Sequence, residues 1–279
     1  MRPATDRFAQ AGVTLVEMIV SIVIAGILIA LVGMFGRWQI QSYFDISNRA
    51  ALADAGDTAL RRIARELQSA LPNSVRVNTV IDDGSSGDGL LLEYVPIVDA
   101  GRYRADYTLS GTGNPLDFLS PTDTSFDVLG PGVSIANGQS LVIYNLGQPG
   151  SNVYEGTSRR LPSVSGTALT SVSFASPQFP LDSPAHRFQV VGQPVTFACD
   201  RAGSRLLRYT NYGFSQNQAA SAAAFTVTPS VLVDHVQDCQ FIYTPGALQR
   251  NGLVSIFLTL MENGEKVDLL HQVEVLNTP

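Results

Sequence analysis

The chain has 279 residues, a formal net charge of −6 at pH 7, 45% hydrophobic residues and only two cysteines. This length allows one large or two modest domains with a substantial core. The acidic balance and the scattered lysines and arginines argue against a nucleic-acid partner, because no basic stripe is available to displace counterions from a phosphate backbone.

The first predicted element is an apolar helix that follows a short leader, MRPATDRFAQAG. The leader carries Arg2, Arg7 and Asp6, and no charged residue occurs from Met18 to Gly36. An uncharged run of this length can cross the hydrocarbon core of a bilayer as a helix. It is too long for the apolar centre of a secretory signal, and no convincing A-x-A site follows it. We therefore expect one membrane span, with the positively charged leader on the cytoplasmic side.

Two residues do not fit a plain membrane anchor. Gly12 precedes the apolar run, and Glu17 places a carboxylate inside it. A charged side chain at the centre of a membrane helix costs about 2.5–3.5 kcal/mol on insertion scales. Glu17 lies near the start of the span, so its carboxylate could extend to the lipid headgroups. The alternative is that it pairs with a positive charge supplied by another subunit.

The stretch GVTLVE, from Gly12 to Glu17, resembles the processing signature of type IV prepilins. The resemblance implies that a prepilin peptidase cleaves between Gly12 and Val13, which removes residues 1–12 as a leader peptide. It also implies that the new amino group of Val13 is N-methylated. In a helical assembly, Glu17 would then pair with the N-terminal amine of a neighbouring subunit, and such a buried pair fixes axial register.

A single long helix is predicted beyond the leader, because no proline occurs between Pro3 and Pro72. Residues 13–36 are apolar on all sides and would form the membrane-spanning or filament-core half. Residues 37–71 are amphipathic, with apolar residues every three or four positions. Pro72 ends the predicted helix at Leu71, since the residue before a proline is disfavoured in the α region.

The amphipathic half is expected to pack on a globular domain. Its apolar stripe consists of Leu52, Ala55, Ala59, Ile63, Leu67 and Leu71. Its polar face consists of Arg49, Asp54, Asp57, Arg61, Arg65 and Glu66. A coiled coil would use the same stripe, but the small residues Ala55, Gly56 and Ala59 favour close packing on a sheet.

Residues 72–279 are predicted to form a β-rich globular domain, since glycine and proline punctuate short apolar segments. The clearest element is the last hairpin, in which GLVSIFLTLM and KVDLLHQVEVL flank the turn ENGE. Ser215–Phe225 is expected to be a flexible surface loop. Further strands are expected at Ser74–Val80, Gly89–Val95, Arg102–Leu109, Ser140–Leu146, Ser171–Ala175, Arg187–Val191, Pro194–Cys199 and Arg205–Thr210.

The sequence carries no common catalytic motif: HExxH, GxSxG, the P-loop and GxGxxG do not occur. We therefore expect no enzymatic activity, no catalytic residue and no cofactor. The stretch DDGSSGDGLLLE places Asp82, Gly87 and Glu93 at the first, sixth and twelfth positions of a calcium loop. Gly84 occupies a position that should carry a ligand, so a hairpin loop is the preferred interpretation.

The two cysteines, Cys199 and Cys239, allow two interpretations. His235 and Cys239 are spaced as metal ligands, with Cys199 as a third, but a fourth ligand of the usual zinc type is missing at motif spacing. A domain that follows the span would face an oxidising periplasm, where cysteines pair. We therefore predict a structural Cys199–Cys239 disulfide, which would add about 4 kcal/mol in the chain-entropy model, and no metal site.

Three stretches extend the resemblance to minor pilins of MSHA pilus biogenesis: RRIARELQSALPNSVRV, HVQDCQFIYTPGALQRNGLVSIFLTL and LLHQVEVLNTP. The middle, residues 81–185, is not diagnostic. The resemblance implies an α+β type IV pilin-like fold, in which a long N-terminal helix packs on a β-rich C-terminal domain. It also implies a role in assembling or priming an MSHA-type pilus.

The partners implied are other minor and major pilins, the prepilin peptidase and an inner-membrane assembly platform. The location implied is a single-pass inner-membrane protein with a periplasmic C-terminal domain, later assembled into a pilus or pseudopilus. The J-type minor pseudopilin of type II secretion shares the leader and the long helix, and is the alternative. A membrane-anchored periplasmic binding or enzymatic domain is a more remote one.

Overall fold

The structure, a computed structural model, describes residues 12–78, 89–246 and 251–278. The chain divides into two compact units, Met1–Ala50 and Ala51–Pro279. Helix α1 (Leu15–Gln68) contributes its first part to the first unit and its last part to the second. The apolar N-terminal helix and the β-rich C-terminal region predicted from the sequence are both present, which fits an α+β pilin-like fold.

The strands all belong to the second unit. In chain order, those of the described residues are β1 (Arg76–Val77), β2 (Leu91–Tyr94), β3 (Ile97–Tyr103), β4 (Ser125–Leu129), β5 (Val133–Ile135), β6 (Ser140–Val142), β7 (Arg159–Arg160), β8 (Gly166–Leu169), β9 (Ser171–Ser173), β10 (Arg187–Val191), β11 (Val195–Asp200), β12 (Arg205–Tyr209), β13 (Ser230–Asp234), β14 (Val236–Thr244), β15 (Gly252–Glu262) and β16 (Glu265–Val275). A 3₁₀-helix, Ala222–Ala224, lies between β12 and β13.

These strands form antiparallel sheets. The first sheet has the order β1-β2-β11-β12-β13, the second β7-β6-β10-β3-β4-β9 and the third β14-β15-β16. Strands β5 and β8 form a separate pair. Because β10 pairs with both β3 and β6, the centre of the second sheet joins strands that are distant in sequence.

The first core forms where the last turns of α1 meet the first and third sheets. Apolar side chains recur on one face of the helix because 3.6 residues complete a turn. The buried helix residues are Leu52, Ala59, Leu60, Ile63, Ala64 and Leu67, and they pack with Tyr94, Phe197, Leu206, Phe241, Ile256 and Leu258 from the sheets. Of the predicted stripe, Ala55 is exposed, and the neighbouring Gly56 is buried in its place.

Gly56 sets the distance between the helix and the third sheet. A Cβ atom at Gly56 would lie 2.9 Å from Leu260 Cδ1 and even closer to Leu269 Cδ1. A larger residue would therefore have to displace both leucines. The prediction that small helix residues allow close packing on a sheet is confirmed for Gly56 and Ala59.

Helix α1 ends at Gln68 rather than at the predicted Leu71. The amides of Ser69 and Ala70 donate to the carbonyls three residues earlier, so the last turn tightens. Leu71 then donates its N–H to Val95 O at 2.8 Å, so its backbone bonds to the residue that follows β2 and no longer to the helix. The restriction that Pro72 places on the preceding residue is consistent with this early end.

The second core lies on one face of the second sheet. It contains buried aromatic and aliphatic side chains, including Tyr103, Phe126, Leu141, Phe174, Phe188 and Val190. Phe126 and Phe188 meet edge to face with their ring centroids 5.0 Å apart. This core involves much of the 81–185 stretch, which was not diagnostic of the family.

The predicted terminal hairpin is confirmed. Strands β15 and β16 pair in register from Gly252↔Val275 to Glu262↔Glu265. Asn263 and Gly264 connect them with φ angles of 51° and 86°. Two positive φ angles are typical of the type I′ turn that Asn-Gly favours in two-residue hairpins.

Other strand predictions differ in extent. Arg187–Val191 is confirmed, whereas the strand predicted at Arg102–Leu109 runs instead from Ile97 to Tyr103. The predicted strand Ser74–Val80 is observed at Arg76–Val77, and its last residues lie outside the described part. Strands β4, β5, β7, β8, β13 and β14 were not predicted from the sequence.

The Ser215–Phe225 segment is more than a surface loop. The ring of Phe225 stacks on Tyr209 with centroids 4.4 Å apart and meets Tyr212 edge to face. Together with nearby alanines it covers the face of the first sheet that points away from the first core. The small and aromatic residues of this segment therefore serve as packing residues.

Candidate functional site

The N-terminal segment is the first candidate site, and its geometry begins with Thr14. The Thr14 carbonyl accepts the first intrahelical hydrogen bond, from Met18 N–H at 3.1 Å. Its hydroxyl oxygen accepts the N–H of Glu17 at 3.3 Å. Thr14 is thus the N-cap of α1, and Glu17 is the third helical residue, as in the S/T-x-x-E capping box.

This position gives Glu17 a local function that the sequence analysis did not consider. A carboxylate in the first turn of a helix interacts favourably with the partial positive charge of the helix N-terminus. Within the described residues the Glu17 side chain makes no hydrogen bond or ion pair, and it is exposed. The helix dipole can therefore explain an acidic side chain at this position, but no cation of the described residues pairs with its charge.

The apolar half of the helix is long enough to cross a membrane. The span found by length and composition is Leu15–Phe35, and each of its side chains is exposed. Exposed apolar residues on this scale are typical of a helix that is covered by lipid or by other protein. Further along the helix, Tyr43, Phe44 and Ile46 are also exposed.

The predicted processing residues lie at the start of this helix. Gly12 and Val13 precede α1, and both are exposed. A Cβ atom at Gly12 would meet nothing within 4 Å. The described part of the chain therefore gives no packing reason for glycine at this position. The leader residues before Gly12 lie outside the described part of the chain.

Glu66 was predicted to lie on the polar face of the helix, opposite the apolar stripe, but its side chain is partly buried against the first sheet. Its carboxylate accepts hydrogen bonds from Tyr94 Oη at 2.7 Å and Arg208 Nε at 2.9 Å. Arg62 adds a third contact from the same helix at 3.2 Å. Burial alone would raise the pKa of Glu66, but these donors outweigh it and hold the pKa below its usual value. Glu66 therefore joins the helix to the first sheet.

Glu93 is also used internally and is not a calcium ligand. It is only 2% exposed, pairs with Arg76 Nε at 2.8 Å and accepts a hydrogen bond from Tyr212 at 3.1 Å. Burial raises the pKa of Glu93, and the Arg76 guanidinium opposes that rise. The other two residues of the rejected calcium loop, Asp82 and Gly87, lie outside the described residues.

The two cysteines form a disulfide that joins β11 to β14. The Cα atoms of Cys199 and Cys239 are 5.9 Å apart, and both side chains are buried in the first core. Neither sulfur is therefore available as a thiolate ligand. His235, the third residue of the rejected metal site, lies 3.6 Å from a Glu262 carboxylate oxygen instead.

Comparison with known proteins bears on the N-terminal segment. A protein-family profile described as the prokaryotic N-terminal methylation motif matches residues 7–33. No curated protein and no solved structure matches the chain. The match includes Gly12, Val13 and Glu17 and most of the apolar segment Leu15–Phe35.

A methylation motif of this type implies processing by a prepilin peptidase and assembly with pilins. The apolar helix that follows it fits a membrane-anchored protein, and the second unit supplies the β-rich domain. Together, the motif, the helix and the β-rich domain support a type IV pilin-like protein.

Proposed function

We propose that this protein is a minor pilin, similar to the MSHA biogenesis protein MshO, that helps to assemble or prime an MSHA-type type IV pilus. In this role its apolar helix joins the helices of other minor and major pilins. The globular domain contributes a surface to the complex and catalyses no reaction. The chain is held in the inner membrane with its N-terminus in the cytoplasm and residues 72–279 in the periplasm.

The observation that carries this proposal is the exposed Glu17 carboxylate inside the apolar span. The described residues offer it no cation. Cleavage after Gly12 would create a positively charged α-amino group at Val13 in every subunit. Two charges that are each costly in hydrocarbon then form one neutral pair between neighbouring subunits.

The minor-pilin assignment draws on further features of the sequence. The globular part is large for a major pilin, and the three stretches that resemble MSHA minor pilins fall on the end of α1 and on β14, β15 and β16. Those elements surround the first core, where the helix meets the third sheet. The resemblance therefore concerns the part of the molecule that joins the helix to the domain.

Deletion of the gene in its native host tests this proposal. We expect loss of surface pili, with secretion of folded exoproteins intact, and restoration of pili by the full-length gene. Intact pili with a block in exoprotein secretion would instead establish the J-type pseudopilin function. If both processes are unaffected, the chain is a membrane-anchored periplasmic domain of another kind.

A further inference from the structure

A cavity of about 680 Å³ lies against the second sheet, at the face opposite the second core. Strands β3 and β10 form its floor, and Leu276 and Thr278 line its side. In a strand, successive side chains point to opposite faces. Phe188 and Val190 point into the second core, so Arg187 and Gln189 point into the cavity.

Two arginines face each other across this floor. Arg187 of β10 and Arg102 of β3 are directly opposed in the antiparallel register. Side chains in such a pair have Cβ atoms about 5 Å apart, and like charges at this distance destabilise a sheet. Both are exposed, and neither forms an ion pair with any residue in the described part of the chain. The pair therefore offers an external anion two guanidinium groups from directly opposed positions.

The neighbouring Gln189 is a second sign of an external ligand at this face of the sheet. It is 8% exposed, and its Oε1 atom is buried with no hydrogen-bond partner. Its cross-strand neighbour in β3 is the small residue Ala100, which leaves space above the amide. A buried polar atom without a partner costs about 1–3 kcal/mol, so such atoms are uncommon away from binding sites. Because Oε1 is an acceptor, it would receive a backbone N–H of a bound peptide segment and not the carboxylate itself.

The acidic residue that also lines the cavity does not neutralise the arginines. Asp99 accepts the backbone N–H groups of Ala100 and Ser134, each at 2.8 Å, one on each carboxylate oxygen. It is paired with Val190, so its side chain points to the face of the sheet opposite the arginines. The Asp99 carboxylate thus holds the backbone of β5 at Ser134.

We propose that this cavity binds a carboxylate side chain of an acidic peptide segment on a partner protein. The planar guanidinium group matches a carboxylate with two parallel hydrogen bonds, and two such groups flank the site. Leu129 and Leu276 are exposed at the rim, where they would contact aliphatic side chains beside the carboxylate. The cavity is far larger than one carboxylate, which fits a segment of chain.

The lining disfavours a saccharide. Its one aromatic ring, Phe188, is fully buried in the second core, so the lining presents no ring face for stacking on a flat or cyclic ligand. The proposal concerns the second unit alone and does not rest on the function proposed above, so either can fail without the other.

The test uses the full-length chain in micelles of an uncharged detergent at pH 7. The probe is a terminally blocked peptide of alternating leucine and glutamate with an uncharged fluorophore, and its binding is followed by fluorescence anisotropy. A matched peptide with glutamine in place of glutamate should bind at least about tenfold more weakly. Equal affinity for the two peptides, or no binding of either, would overturn the proposal.

Variants locate the site. Arg102→Gln and Arg187→Gln should each weaken binding of the glutamate peptide about tenfold, and the double variant should abolish it. The double Arg→Lys variant, which keeps both charges but loses the planar fork, should retain part of the affinity. Arg205→Gln, at an exposed arginine outside the cavity, is the control and should bind like the wild type. Unchanged affinity in both single variants at Arg102 and Arg187, with unchanged thermal melting, would place the peptide elsewhere and refute the site.

Discussion

The hydroxyl group of Tyr94 donates a 2.7 Å hydrogen bond to the carboxylate of Glu66, which links β2 to the last turn of α1. Tyr94 is 1% exposed, and its ring stacks on Phe197 at a centroid distance of 5.9 Å. The Glu66 carboxylate also receives Arg208 from β12. One carboxylate thus joins the helix to two strands of the first sheet.

Tyr94→Phe removes only this hydroxyl and should reduce the free energy of unfolding. A hydrogen bond to a charged acceptor contributes about 1.5–3 kcal/mol, so we expect a loss of that order at pH 7. Urea unfolding of the full-length chain in detergent gives the measurement. Tyr107→Phe is the control, because Tyr107 is 66% exposed, and it should change stability by less than about 0.5 kcal/mol.

The difference in stability between the wild type and Tyr94→Phe should depend on pH. The pKa of Glu66 is lower in the folded state than in the unfolded chain. The stabilisation from its charged form is therefore complete above the unfolded pKa of about 4.3. It is lost as the pH falls through the folded pKa. The difference in stability between wild type and Tyr94→Phe should therefore shrink below about pH 4. A difference that stays constant from pH 7 to pH 3 would show that the Glu66 charge is not involved.

Gly56→Val should destabilise the packing of α1 on the third sheet. The new side chain would displace Leu260 and Leu269, and overpacking of this kind costs about 1–3 kcal/mol. Ala55→Val, at the exposed neighbouring position, carries the same β-branched side chain without the clash. Urea unfolding should distinguish the two variants. Equal midpoints would mean that the helix moves away from the sheet at little cost.

The Cys199–Cys239 disulfide closes a loop with a sequence separation of 40 residues. In the chain-entropy model such a crosslink stabilises the domain by about 4 kcal/mol. The double variant with alanine at both positions should lose a large part of this, as measured by urea unfolding. In the wild type, a digest without reductant should yield one peptide pair that contains both cysteines. Two free thiols with stoichiometric zinc would contradict the assignment.

The elements that the sequence predicted well are those with a local signal. The uncharged run of the span, the apolar stripe from Leu52 to Leu67 and the Asn263–Gly264 turn each depend on residues close in sequence. The cysteine pair was predictable because only two cysteines exist. Such patterns act through the geometry of a single helix or hairpin, so they survive without knowledge of the fold.

The features that were missed depend on distant partners. The helical pattern places Glu66 on the polar face, because such a pattern includes only residues close in sequence. Its partner Arg208 is 142 positions away. Strands β5 and β7 have three and two residues, too few for an alternating pattern to be recognised. The Arg102–Arg187 pair becomes visible only when β3 and β10 are brought into register.

We predict that the leader peptide is removed by cleavage after Gly12. Co-expression with a prepilin peptidase should give a chain that begins with N-methylated Val13, as read by intact mass and N-terminal sequencing. Gly12→Val should block cleavage without affecting folding, because a side chain at Gly12 meets nothing within 4 Å. Gly33→Val, a matched substitution at another open position of the helix, should leave cleavage intact. A mature chain that still begins at Met1 in the wild type would contradict processing.

The charge of Glu17 is the centre of the proposed assembly function. The Thr14 hydroxyl caps the helix by accepting the backbone N–H of Glu17. At position 17, the capping box accepts glutamine as well as glutamate. Glu17→Gln therefore keeps the side-chain size and the helix start but removes the negative charge. Glu17→Ala removes both the charge and the polar side chain.

The most direct measurement is co-purification of the partner minor pilins with each Glu17 variant, together with a count of surface pili. We predict that Glu17→Gln and Glu17→Ala are both cleaved after Gly12 and keep the disulfide, yet both lose most of the co-purifying pilins and most pili. If Glu17→Gln assembles and piliates like the wild type, the charge pairs with no neighbouring amine, and the proposed function of Glu17 in assembly is wrong.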